Sequence, residues 1–197
     1  MKRCGLSLLA LALAACTPPT AQKGDDTADA GTSETTAPLQ QDGCNAQYSR
    51  DWSAVGSQYY VIEAEAHGDT CPTANATMRI KSRDGAVLFD RSYQTAQVPL
   101  AFNPNSDQTG LREEIEGWAS NTAETPTADW LPAWPQRADH PPGFTPASGI
   151  TRNRYEQFRG AQGPLFCFPD GGESNACVGM QGDTATLLGS LTPERAD

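Results

Sequence analysis

The sequence predicts an α+β fold: an antiparallel sheet of about six strands, two helices, a long Pro- and Trp-rich loop and two disulfides. Three observations predict it. Short segments of period-two alternation are separated by Gly-containing turns, the pattern of half-buried strands. Apolar residues recur at helical spacing in two places, after Thr109 and after Thr151. Four cysteines, Cys44, Cys71, Cys167 and Cys177, follow the first strongly polar stretch.

The first strand is expected over 58–66, with Tyr60, Ile62, Ala64 and Ala66 on one face and Tyr59, Val61, Glu63 and Glu65 on the other. Residues 76–83 alternate as well, with Met78 and Ile80 opposite Arg79, Lys81 and Arg83. Asp84-Gly85 suits a two-residue type I′ turn. That turn pairs Arg79 with Asp90 and Ile80 with Phe89, and makes 86–92 a third strand with Val87 and Phe89 inward.

From Thr109, a candidate N-cap, Leu111, Ile115, Trp118 and Ala119 form a helical stripe, and Asn121 is a candidate residue beyond its end. Residues 122–148 hold six prolines together with Trp130, Trp134, His140 and Phe144. A second helix starts at the Thr151 cap, with Ile150 and Tyr155 placed as a hydrophobic staple, and Gly160 closes it. Residues 164–169, 175–181 and 184–191 read as strands, joined at Gly171-Gly172 and Gly182-Asp183.

Four cysteines allow three connectivities. The short loop around Gly172 sets Cys167 opposite Cys177, which leaves Cys44 for Cys71. Disulfides belong to exported proteins, because the cytosol keeps thiols reduced.

The start of the chain agrees with export. Lys2 and Arg3 precede an apolar run from Leu6 to Ala15, too short for the ~20 residues that a membrane span needs. The run ends in Leu13-Ala14-Ala15-Cys16, which resembles the lipobox of bacterial lipoproteins. The resemblance covers residues 1–16. It implies removal of residues 1–15 as a signal peptide, a diacylglyceryl thioether on Cys16 and acylation of the new amino group. Thr17, by the same resemblance, implies sorting to the outer membrane, with the domain facing the periplasm.

Residues 16–43 then form an anchored linker of Thr, Ala, Asp, Gly, Gln and Pro, with Leu39 as its one large apolar side chain. Such a composition does not offset the entropy of ordering. A flexible chain of this length reaches ~29 Å. A single globular domain follows over 44–197.

That domain carries 19 acidic side chains against 11 Lys and Arg. The excess argues against nucleic acid as a partner. The partners to expect are the lipid bilayer through Cys16, and an envelope glycan or a basic protein through the domain.

Several constellations suggest chemistry and also have plainer readings. Glu63 and Glu65 lie about 7 Å apart on one strand face, a spacing used in glycoside hydrolysis. Arg79, Lys81 and Asp90 share that face, so a cross-strand ion-pair lattice is the preferred reading. Asn103, Asn105, Asp107 and Glu114 follow a calcium-loop spacing, but Gln108 stands where the loop needs Gly. His67, Asp69 and Cys71 alternate like a metal clip, with Cys71 assigned to a disulfide. No metal or cofactor is expected, and no catalytic residue is assigned.

The Pro-rich loop is the candidate binding surface, through Trp130, Trp134, His140 and Phe144. Long loops without regular structure are usually functional or disordered. The expected function is a non-enzymatic envelope binding or interaction module; the alternatives are an enzyme acting on envelope glycan, or an acidic inhibitor of a basic hydrolase such as lysozyme. Replacing Cys16 with Ser should move the chain from the membrane fraction to the soluble one, since two or more acyl chains are needed for stable anchoring. Fractionation with mass analysis of the anchor peptide checks this.

Overall fold

The structure, a computed structural model, describes residues 43–53, 59–120 and 126–192. The signal and lipobox residues, the linker up to residue 42 and Asn121 lie outside them.

Among the described residues two α-helices and eight strands form, in two antiparallel sheets of four strands each. The first sheet is a meander of β1 (Cys44–Ser53), β2 (Tyr59–Gly68), β3 (Asn75–Ser82) and β4 (Val87–Gln94). Helix α1 (Gln108–Ser120) follows. The second sheet has the order β5-β8-β7-β6 and is built from β5 (Phe144–Pro146), β6 (Leu165–Pro169), β7 (Asn175–Gln181) and β8 (Thr184–Leu191). Helix α2 (Arg152–Ala161) lies between β5 and β6 in sequence.

Two sheets form where one was expected, because β6 and β7 are apolar on both faces. All five residues of β6 are buried, and so are Ala176 through Met180 of β7. A strand of this kind cannot extend an amphipathic meander whose outer face meets water; it must be covered on both sides. Phe166, Phe168, Ala176, Val178 and Met180 pack on the inner face of the first sheet and on α1. Leu165, Cys167, Cys177 and Leu188 turn the other way, onto Tyr155 and Phe158 of α2 and onto Leu131 and Phe144.

The inner face of the first sheet carries the residues that alternation assigned to it, Tyr60, Ile62, Ala64, Ala66, Met78 and Ile80, all buried. Helix α1 rests against β1 and β2, where Ala46, Ala64 and Ala66 give it a shallow floor.

Strand β1 escaped the sequence reading because a charge stands in its apolar stripe. Cys44, Ala46 and Trp52 are buried on the inner face, with Tyr48 partly so. Arg50 is on the same face, and its Nε donates to the Ala119 carbonyl at 2.7 Å, satisfying an end carbonyl of α1. Burial holds that guanidinium below its ordinary range. Strand β5 escaped because three residues with a proline carry no period.

The β3–β4 connection also differs from expectation. Ser82 N–H donates to Ala86 O and Gly85 N–H to Ser82 O, closing a three-residue loop with Gly85 at φ 89°. One extra loop residue would shift the register, but a bulge between Ile80 and Lys81 restores it. Arg79 thus opposes Asp90 and Ile80 opposes Phe89 as expected. Val87, read as inward, opposes Lys81 and is 52% exposed.

Both disulfides form as paired in the sequence, Cys44–Cys71 and Cys167–Cys177, and the second joins directly opposed residues of β6 and β7. The N-cap of α1 is Asp107 rather than Thr109; its Oδ1 accepts from the N–H groups of Thr109 and Gly110. Thr151 caps α2, which runs past Gly160 to a left-handed Gln162.

On the outer face, Arg79 donates to Glu63 at 3.1 Å and to Glu65 at 2.6 Å, and Lys81 to Glu63 at 2.6 Å. The hydrogen bond from Arg79 holds the Glu65 carboxyl below the ordinary glutamate range. Because the shift is downward, its stabilisation is present above about pH 4.3 and is lost as pH falls through the folded value. Arg79→Met should therefore be less stable than the parent at pH 7 by on the order of 1 kcal/mol, the scale of a partly exposed pair. The two proteins should converge as the pH falls through the lowered Glu65 value. Urea titrations at several pH values check this.

Candidate functional site

The Pro-rich stretch is short of backbone N–H donors and of regular partners, so its carbonyls need donors from elsewhere. Helix α2 supplies them. Arg159 Nε donates to Leu131 O at 2.9 Å, the Tyr155 hydroxyl to Pro132 O at 2.8 Å and Arg152 Nη1 to Gln136 O at 2.9 Å. In return, Glu156 accepts from the Trp134 N–H at 2.7 Å. A bridge between Thr127 and Pro164, with Ala128 N–H donating to Gly163 O, fastens the start of the stretch to the entry of β6.

This bracing fixes which side chains face out. Leu131, whose carbonyl Arg159 holds, goes inward and is fully buried. Trp130, at the end of a short 3₁₀ turn, goes outward and is 61% exposed. Beside it, Asp129 accepts hydrogen bonds from the Thr127 hydroxyl and from the Gln162 amide. Trp134 is half-buried, edge-on to Tyr155 with ring centroids 5.5 Å apart, and its Nε1 donates to Ala138 O at 2.9 Å. His140 is exposed, with Nδ1 2.9 Å from Pro141 O.

Phe144 does not belong to any surface. It is 2% exposed on β5, packed against Tyr155 at 5.2 Å. Strand β5 pairs with β8 and points the ring inward, a pairing between residues nearly fifty apart that no local pattern announces. Of the four candidate residues, Trp130 and His140 are open, Trp134 is partly open and Phe144 is core.

The other constellations have structural work. Glu114 Oε1 accepts from Asn103 N–H and from the Ser106 hydroxyl, Asn103 Oδ1 accepts from Asn105 N–H, and Asp107 caps α1. His67 lies 3.0 Å from Asn45 Oδ1 and 3.7 Å from Glu65. Burial pushes the Tyr93 phenol up to about 12 and the Tyr155 phenol higher still, marking both as packing residues.

No local sequence pattern marks the second concavity. Tyr59 and Tyr60 at the start of β2, Ser82, Arg83 and Asp84 at the β3–β4 turn, and Gly182 and Asp183 at the β7–β8 turn line an open cleft of about 650 Å³. Its walls come from three segments, the outer two 122 residues apart at the Tyr60–Gly182 hydrogen bond, so only tertiary structure assembles it. Leu165 pairs with Gly179 and Gln181 with Thr184, so the Gly163–Pro164 anchor of the Trp130 stretch lies at the same end of the second sheet.

Among the described residues, fold and surface define a disulfide-stapled α+β domain with a presented tryptophan and an open polar cleft. The chain matches no protein-family model, no curated protein and no solved structure.

Trp130→Ala should change stability by less than about 0.5 kcal/mol, as exposed substitutions do. Phe144→Ala should cost ~3–5 kcal/mol. Thermal or urea unfolding of the two single variants checks the contrast.

Proposed function

We propose that the chain is a bacterial lipoprotein, anchored through Cys16 to the periplasmic face of the outer membrane, whose domain binds envelope glycan through Trp130 without chemistry of its own. The observation that carries this reading is the presentation of Trp130. A large aromatic ring left 61% exposed on a stretch braced to α2 is a rigid platform. Leaving such a side chain in water forgoes ~2 kcal/mol of burial. Asp129 and Gln162 sit beside it as polar partners for sugar hydroxyls.

Two further features support the setting. The Leu13-Ala14-Ala15-Cys16 motif resembles a lipobox, and the two disulfides suit an oxidising compartment. Among the described residues no helix is long and apolar enough to cross a membrane. A binding role is also favoured by the prior commitments of the acidic groups. Glu63 and Glu65 are held in ion pairs, and Asp107 and Glu114 brace loops.

Isolated peptidoglycan sacculi provide the test. The full mature chain should co-sediment with them, and Trp130→Ala should lower its retention about tenfold, the effect of losing an aromatic anchor. Equal retention of the variant, or no retention of the parent chain, would sink the reading. Inhibition of a basic lysozyme without sacculus binding would favour the acidic inhibitor instead.

A further inference from the structure

We infer that the cleft formed by Tyr59, Arg83, Asp84 and Asp183 is a second binding site and takes a short neutral oligosaccharide. This inference stands apart from the Trp130 surface and from the lipid anchor. The cleft's volume, about 650 Å³, falls within the ordinary range of small-molecule sites.

Its frame is fixed before any ligand arrives. The Tyr60 hydroxyl donates to Gly182 O at 2.7 Å, tying the first sheet to the β7–β8 turn. The Ser82 hydroxyl is held between Asp84 and Ala86, and the Tyr59 hydroxyl is bonded to Asp51. Preorganised groups of this kind lower the ordering cost of binding.

Two lining side chains have no hydrogen-bond or ion-pair partner among the described residues. The Arg83 guanidinium lies over the Tyr59 ring, 5.9 Å from its centroid, and among the described residues it has no ion-pair partner. Asp183, from the other sheet, is exposed and accepts no hydrogen bond from a described residue. The cleft therefore offers a donor-only group stacked on an aromatic ring and, facing it from the other turn, an acceptor-only group, with no ion pair between them.

That set selects among ligand classes. An anion drawn to Arg83 meets Asp84 and Asp183, and a cation drawn to the aspartates meets Arg83. A sugar hydroxyl both donates and accepts, so neighbouring hydroxyls satisfy guanidinium and carboxylate together without bringing a charge into the cleft. The C–H face of a pyranose suits the exposed part of the tyrosine surface.

The experiment is a ¹⁵N NMR titration of the chain with a panel of neutral tetrasaccharides of the gluco, galacto, manno and N-acetylglucosamine series, alongside tetragalacturonate and tetralysine. The expected result is that one or more neutral sugars shift the amides of Gly182 and Asp183 and the Arg83 side-chain signal. Arg83→Met and Asp183→Asn, both at exposed turns, should each weaken that binding about tenfold, the loss of one or two hydrogen bonds. Trp130→Ala should leave it unchanged. The inference is overturned if no neutral sugar moves these signals, or if tetragalacturonate or tetralysine binds more tightly than every neutral sugar. It is equally overturned if the sugar shifts vanish in Trp130→Ala, which would place the sugar on the tryptophan surface alone.

Discussion

Strand β6 is the constraint on which the rest depends. Its five residues are buried on two faces at once, so the sheet that contains it must be a middle layer. Phe166 and Phe168 stack at 5.7 Å and continue an aromatic run, to Trp52 at 5.5 Å in one direction and to Trp118 at 5.7 Å in the other. The Trp118 indole also donates to Pro169 O at 2.8 Å, which sets α1 against the strand's end. Burying each such ring contributes about 1.5–3 kcal/mol, enough for β6 to dictate where the meander, α1 and α2 must lie. Gly189 on β8 serves the same arrangement. Its φ is 150°, and a Cβ there would strike the Thr145 carbonyl and the Phe144 ring, so β5 can close only over a glycine.

The layer beyond β6 follows from backbone accounting. A proline-rich stretch has few N–H groups and no regular ladder to occupy its carbonyls. Helix α2 answers with long donors, which explains why so acidic a domain keeps Arg152 and Arg159 close together. Arg154, between them, lies over Phe158 at 4.7 Å and covers its ring. With carbonyls tied on one side, Ala128 and Leu131 are buried, and Trp130, at the end of the 3₁₀ turn, stays outside. The exposed indole is thus a geometric consequence of the bracing, and also the feature a partner would meet first.

Polar residues that resemble catalytic or metal constellations serve mainly as caps and lattices here. The paired glutamates of β2 are bridged by one arginine, which the antiparallel register brings opposite Glu63. The loop before α1 is held by Asn103, Asp107 and Glu114 through backbone N–H groups, the same donors that cap any helix entry. Tyr93 packs edge-on to Trp118 and Phe168, with burial rather than chemistry raising its phenol.

The sequence by itself determined whatever is local in range. Alternation located β2, β3 and β4 and named the inner faces of β2 and β3, and turn residues bounded β6 to β8. Spacing located both helices, and loop length paired the cysteines. These were legible because side-chain period and turn chemistry act over a few residues. Where a neighbour distant in sequence decides, the sequence is silent or misleading. Arg50 hides β1 because its partner, the Ala119 carbonyl, is 69 positions away. Phe144 looks like a surface aromatic until β8 pairs with it. Val87 turns outward because a bulge offsets a longer turn. The candidate loop was legible as a composition, but which of its aromatics meets water depended on α2. The Tyr59 cleft was not legible at all, since its walls meet only when the two sheets stack, and burial of both faces of β6 is what stacks them.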